Sequence, residues 1–377
     1  MLKPTHDDQQ VAAGRSRPMR PYAMRRLSIV MRPQEGNALE AGGVLNPGGA
    51  RGPDGAYYLF PRLVAAGNYS RVGIARVVND RDGVPSAVER LGVVLEPEAP
   101  YERNRISGGG CEDARVVHVP ALNAYVMTYA AFGPHGPHGA IALSRDLFTW
   151  NRRGLIDLAP LGDVDMNLYG NKDVMVFPEP VPGPDGTPSL ALLHRPMYEL
   201  WQDTNSELVR SALPPPGTKE SRWTMWLSFC PMEQALAWAM PGTRAAASPL
   251  RFTDHHLLIT PEYPWEIMRI GGGTPPIRRP EGWLTIYHGI SPLTGRAGGN
   301  GRCYSAGALL LDPADPRQVL YRSPEPVLAP ELEEERAGVV SDVVFPTAID
   351  QHDTHIDVYY GMADACIGVA RMDLNPA

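Results

Sequence analysis

The chain has 377 residues, of which 43% are hydrophobic and 20% charged, with a formal net charge of −7. That balance builds a globular body with a large core and argues against a general nucleic-acid binder. No apolar run approaches the roughly 18 residues of a membrane span, and no hydrophobic signal core opens the sequence, so a cytoplasmic location with no membrane partner is expected.

Residues 1–40 carry Arg15, Arg17, Arg20, Arg25, Arg26 and Arg32 and read as an Arg-rich arm: an oligomer contact, a rim over the site, or a solvated tail. Residues 41–377 read as one domain in which a three-part phrase recurs five times. A polar turn enters a strand near Asn46, Asp113, Lys172, Gly273 and Phe345. Aromatic-rich partner strands follow at Tyr57–Leu63, Ala124–Phe132, Leu190–Pro196, Trp283–Gly289 and His355–Asp364. Small-residue strands close each phrase at Ser70–Val77, Gly139–Asp146, Thr224–Pro231, Tyr304–Asp312 and Ala365–Asp373. Strands of period two that recur in this way bury both faces only by stacking on one another, which predicts an all-β, five-bladed β-propeller. A β-sandwich also accommodates short strands at regular spacing. The third phrase is stretched by residues 197–222, polar and Pro-rich, which read as a loop insertion over one face.

In a propeller the innermost strands converge, so their ends form a cup. The repeats place Asn46, Arg62, Asp113, Arg115, Lys172, Asp173, His194, Arg195, Tyr287, His288 and Asp364 there. Three glycines at 108–110 suggest a close approach of backbone to ligand just before Asp113. In a regular strand Asp113 and Arg115 share a face while Glu112 points away, so Asp113 is the candidate acid and Glu112 is expected to pack or pair between blades. Cys111, Cys230, Cys303 and Cys366 show no paired spacing, the His residues show no zinc-ligand spacing, and neither a metal nor an organic cofactor is expected.

The segments GGGCEDARVV (108–117), NKDVMVFPEPV (171–181), LLHRPMY (192–198), IGGGTPPI (270–277), GWLTIYHG (282–289), YRSPEPVLAPE (321–331), VVFPTA (343–348) and YYGMADACIGVA (359–370) resemble, in order, glycoside hydrolase family 130. The resemblance runs from about Asn46 to Arg371 and implies a five-bladed propeller that cleaves β-mannosides with inversion, mostly by phosphorolysis to α-mannose 1-phosphate. It implies that Asp113 is the general acid, acting through the 3-hydroxyl of the mannosyl unit, and that Asn46 and Asp364 contact that unit. Arg62, Arg115, Asp173 and Tyr287 fall among the substrate-binding candidates, and Lys172, His194, Arg195 and His288 among the phosphate-binding ones. Ser341, Asp342 and the LFPRL strand around Arg62 depart from the family pattern.

The residue types bear on the nucleophile independently of that resemblance. An inverting hydrolase places a second carboxylate about 6.5–9.5 Å from the acid to deprotonate water. Phosphate is already anionic and needs only cations to hold it in line. Lys172, Arg195 and His288 favour phosphate as co-substrate; Asp173, Glu179 and Glu199 keep a β-mannosidase open as the alternative. A non-catalytic sugar- or protein-binding propeller is the third reading, and it has no need of an acid and several cations at its axis.

Overall fold

The computed structural model describes residues 22–104, 108–198, 215–293 and 301–374. Within them the chain is all-β, its strands grouped into five antiparallel units. The first unit runs through Gly43–Arg51, Tyr57–Ala65, Tyr69–Asn79 and Pro85–Leu95. The second follows with Gly109–Val119, Ala124–Gly133, Gly136–Ser144 and Asn151–Leu155. The third uses Gly170–Val176, Pro188–Met197, Met225–Pro231 and Arg251–Ile259. In the fourth, two short strands, Arg269–Gly271 and Ile277–Arg279, share the edge of Gly282–Pro292, which Arg302–Leu311 and Val319–Arg322 extend.

The fifth unit contains Val344–Gln351, His355–Met362 and Cys366–Asp373, and its fourth strand comes from the other end of the chain: Met24–Met31 pairs with Cys366–Asp373. This corrects the domain boundary expected at residue 40, since the described part of the Arg-rich arm is a strand of the body. Most of the 197–222 insertion, Glu199 included, lies outside the described residues.

Hydrophobic side chains gather between units rather than within one. Phe60, Val116 and Met127 join the first unit to the second, and Val126, Ile141, Val176 and Leu190 the second to the third. Met175, Phe229, Trp283 and Leu309 join the third to the fourth, and Ile286, Leu310, Val344 and Tyr360 the fourth to the fifth. Val30, Val44, Leu59 and Val369 then join the fifth back to the first. Each sheet therefore buries both faces against neighbours, which is why its strands alternate so weakly between apolar and polar.

A polar clamp repeats four times on this frame. A fully buried glutamate ahead of the first strand grips an arginine on the fourth: Glu40 with Arg90 (2.8 Å), Glu102 with Arg152 (2.9 Å), Glu266 with Arg322, and Glu335 with Arg26 (2.8 Å). In three of them a second-strand tyrosine hydroxyl also donates to the glutamate: Tyr129, Tyr287 and Tyr360. Arg26 occupies in the fifth unit the place held by arginines late in the other units, which explains why the arm folds back. Buried carboxylates of this kind are stable only when every lone pair is engaged.

Candidate active site

First strands of neighbouring units lie against one another, and three of them slip in their pairing in the same way, three residues against two. Register shifts fall between Leu45 and Gly48, between Glu112 and Arg115, and between Lys172 and Met175. At each slip one residue takes a left-handed backbone: Asn46 at φ 44°, Asp113 at 49° and Asp173 at 54°. Asn and Asp tolerate that conformation better than other side chains, and such bulges re-aim a side chain. The structural equivalent of Asp113 is thus Asp173, and Lys172 corresponds to Glu112, which corrects the equivalence drawn from the repeats.

Glu112 pairs between units as expected, its carboxylate accepting from Arg62 (2.9 Å) and from Lys172 Nζ (2.8 Å). The bulge overturns only the expected alternation: with Asp113 left-handed, Glu112 turns toward the site instead of away from it. Asp113 accepts from Asn46 Nδ2 (2.9 Å) and Arg62 Nη1 (3.3 Å). Burial by itself raises the Asp113 carboxyl, but Arg62, Lys172, Arg115 and the Asn46 hydrogen bond outweigh it and hold it down at about 2. Asp364, also left-handed at φ 53°, goes the other way: burial, helped by the charges of Asp113 and Glu112 and opposed by Arg62 and Lys172, pushes it up to about 6. Between about pH 2 and pH 6, two carboxyls in one field therefore hold different protonation states.

Beside this pair lies a second, more cationic half. Asp173 is buried and accepts from Arg195 Nε at 2.6 Å, with Arg115 Nη2 at 4.0 Å and His288 Nε2 at 3.8 Å. Arg115 donates to the carbonyls of Gly273 (2.5 Å) and Asp113 (2.7 Å). A side chain at Gly271 would collide with Asp173, His288 and Arg195, so only glycine lets these three groups meet. Arg195 and Arg269 both stack on one ring, their guanidinium carbons 4.4 and 4.1 Å from the centroid of Trp223. Two buried guanidinium nitrogens, Arg115 Nη2 and Arg195 Nη1, have no hydrogen-bond partner. Unpaired buried donors of that kind are expensive and mark a place for an absent acceptor.

The structure brings Asn46, Arg62, Asp113, Arg115, Lys172, Asp173, Arg195, His288 and Asp364 into this cup and moves two expected members out of it. Both ring nitrogens of His194 are engaged: Nδ1 with Asn171 Nδ2 (2.9 Å) and Nε2 with Ser228 Oγ (2.8 Å), which continues to His255. Burial, with the nearby His255, lowers His194 to about 3, so it is a neutral core histidine with no donor left for an anion. The Tyr287 hydroxyl belongs to the Glu266–Arg322 clamp. His288 is neutral in the empty site as well: burial lowers it to about 4, with Asp173 opposing and Arg195 and Arg115 adding to the effect. Glu179 is exposed and stands outside the cup. The glycine run serves packing: a Cβ on Gly110, at φ 104°, would strike the Ser70 carbonyl, where the first and second units touch. Trp223 and Arg269 are cup residues that the sequence reading missed, because they lie outside the repeated phrase.

A family model described as beta-1,4-mannooligosaccharide phosphorylase matches residues 216–376. A 1,2-beta-oligomannan phosphorylase from Thermoanaerobacter sp. (strain X514) is 28% identical over 353 residues, covering 92% of this chain and 95% of that protein. A beta-1,4-mannooligosaccharide phosphorylase from Ruminococcus albus is 39% identical over 119 residues, 31% of this chain and 34% of its own. Among solved structures, the beta-1,2-mannobiose phosphorylase from Listeria innocua in complex with beta-1,2-mannobiose superposes with a TM-score of 0.64 at 23% identity, over 92% of this chain and 94% of that one.

Proposed function

We propose that this chain, which belongs to glycoside hydrolase family 130, is a β-mannoside phosphorylase that transfers a mannosyl unit to inorganic phosphate with inversion, giving α-mannose 1-phosphate. The curated relatives that it matches are named as phosphorylases of 1,2- and 1,4-linked β-mannosides. The five inter-unit cores support reading the fold as a closed five-bladed propeller with the cup at its axis.

The observation that carries the reaction class is the pair of orphaned guanidinium nitrogens on Arg115 and Arg195. A tetrahedral dianion supplies acceptors to both at once and relieves the desolvation that each suffers alone. Two of the carboxylates nearby do not compete for a base's role, because Glu112 is tied to Arg62 and Lys172 and Asp173 to Arg195. In this reading Asp113, with Asn46 and Arg62, faces the mannosyl unit and delivers the proton, while phosphate sits over Arg115, Arg195 and His288. Inverting displacement then needs only that the phosphate oxygen be held in line with the anomeric carbon.

The test is product analysis with β-1,2- and β-1,4-mannobiose, with and without phosphate. Phosphorolysis gives a sugar phosphate and no turnover without phosphate, and the full-length relative makes the 1,2-linked sugar the first choice. Free mannose formed at an equal rate in phosphate-free buffer would overturn the proposal in favour of a mannosidase. Asp113→Asn removes the proton donor and is expected to lower kcat by about 10²–10⁴-fold. Near wild-type turnover in that variant would remove Asp113 from its role.

A further inference from the structure

The hairpin between Val344–Gln351 and His355–Met362 stands at the far end of the fifth unit's strands from the cup, and it carries a cluster that the phosphorylase reading does not use. His352 and His355 stack with ring centroids 4.3 Å apart and 19° between planes. Their Nε2 atoms are both buried and both without a hydrogen-bond partner. They point at the same oxygen, Asp357 Oδ2, from 3.9 and 3.8 Å, too long for hydrogen bonds. All three atoms lie within 4.8 Å of one another.

We propose that His352, His355 and Asp357 form a binding site for a divalent transition cation, with zinc the best match to two imidazoles and a carboxylate. Three protein ligands of this kind are a recurrent zinc set, with a fourth position left for water or another donor. Asp350 Oδ2, 3.2 Å from His352 Nε2, is the neighbouring oxygen. Zinc bonds of about 2.0–2.2 Å put tetrahedral ligand atoms roughly 3.3–3.6 Å apart, so the two His–Asp357 distances have to close by a few tenths of an ångström and the widest separation in the cluster, within 4.8 Å, by about an ångström.

The surroundings favour a metal over a trapped proton. Thr354 Oγ1 lies 3.1 Å from His355 Nδ1; a proton on Nδ1 directed at that oxygen leaves the Nε2 lone pair free, the tautomer that ligates metal. The carboxylates are oriented from behind: Arg371 donates to both oxygens of Asp357 (2.7 and 2.8 Å) and Arg51 to both of Asp350 (2.6 and 2.7 Å). Those two arginines offset the carboxylate charge and so weaken the attraction for a cation. A cleft of about 380 Å³, lined in part by Arg51, Tyr57, Glu89 and His352, gives an entry path. Because Arg51 and Tyr57 belong to the first unit and the hairpin to the fifth, an ion here would sit where the last unit meets the first.

The experiment is titration of the full chain with Zn²⁺ in phosphate-free buffer by calorimetry, with Co²⁺ as a spectroscopic probe of coordination. One equivalent is expected to bind, and a hundredfold excess over Kd should raise Tm by about 3 °C. The His352→Gln/His355→Gln variant, remote from the cup, should bind at least tenfold more weakly and keep its mannoside activity. No saturable binding by the wild type, or undiminished binding by the double variant, overturns the site.

Discussion

Replacing Asp364 by Asn isolates one charge whose energetic sign the structure fixes. The folded carboxyl titrates near 6 against an ordinary 3.8, so the folded state holds its proton more tightly than the unfolded chain does. The stability this contributes is fully present below pH 4 and is lost as pH rises through 6. A shift of about two units corresponds to about 3 kcal/mol, and for a chain of this size that is about 4 °C in Tm. Asn cannot titrate, so the variant escapes the loss. Asp113, held near 2, is ionised across this window in both proteins and drops out of the comparison. Thermal unfolding at pH 4.5, where about a third of that stability is already lost, and at pH 7.5 should show Asp364→Asn gaining about 2–3 °C on wild type between the two. A difference in Tm that stays flat with pH would refute the reasoning that burial beside Asp113 and Glu112 raises this group.

Arg195→Ala is expected to raise the KM for phosphate at least tenfold and to lower kcat, because it removes an orphaned donor and frees Asp173 to repel the anion; an unchanged phosphate KM would take Arg195 out of the anion site. Lys172→Ala should act on the sugar side and on stability, since its ammonium holds Glu112; a defect confined to phosphate KM would contradict that placement. Arg26→Ala leaves Glu335 buried without its cation and should destabilise the protein by about 3–5 kcal/mol, read as a loss of about 4–6 °C in Tm; a shift under 1 °C would show that this ion pair adds little to stability.

The repeated phrase was legible because every unit needs the same three things: a first strand that reaches the centre, an aromatic second strand between two cores, and a small-residue third strand. Asp113, Asn46 and Asp364 were legible for the same reason, since they occupy repeat positions and carry the family motif. The bulge was not. A one-residue slip leaves no mark on composition, yet it brings Glu112 and Lys172, each one residue ahead of a bulge, into the site beside Asp113 and Asp173. His194 sits one residue from Arg195 in a cationic-looking LLHRP strand, and only burial against Ser228 separates the core histidine from the functional arginine. Trp223 and Arg269 come from segments outside the repeat, so proximity in the fold is their only signature. Arg26 looked like part of a charged tail because its partner Glu335 is 309 residues away.

An acid held near 2 is a poor proton donor, and the arrangement of charge offers a way out that depends on the co-substrate. Arg62, Lys172 and Arg115 depress Asp113 only while the cup holds no other anion. A phosphate over Arg115 and Arg195 adds negative charge to the same field, and at an effective dielectric near 20 a unit charge about 6 Å away is worth about 2.8 kcal/mol, or about two pKa units. A dianion would raise Asp113 and carry Asp364 higher, so the pair shares a proton and neither titrates alone. Phosphate would thus arm the acid that it needs, and in the empty site mannosides would be protected from hydrolysis. Calorimetry of phosphate binding at pH 7 in two buffers of different ionisation enthalpy should report uptake of close to one proton. His288 is the competing acceptor, since the same anion raises it from about 4. Uptake that persists in His288→Asn but disappears in Asp113→Asn/Asp364→Asn places the proton on the carboxylates; the opposite pattern, or binding with no proton uptake, removes this explanation of how Asp113 is charged for catalysis.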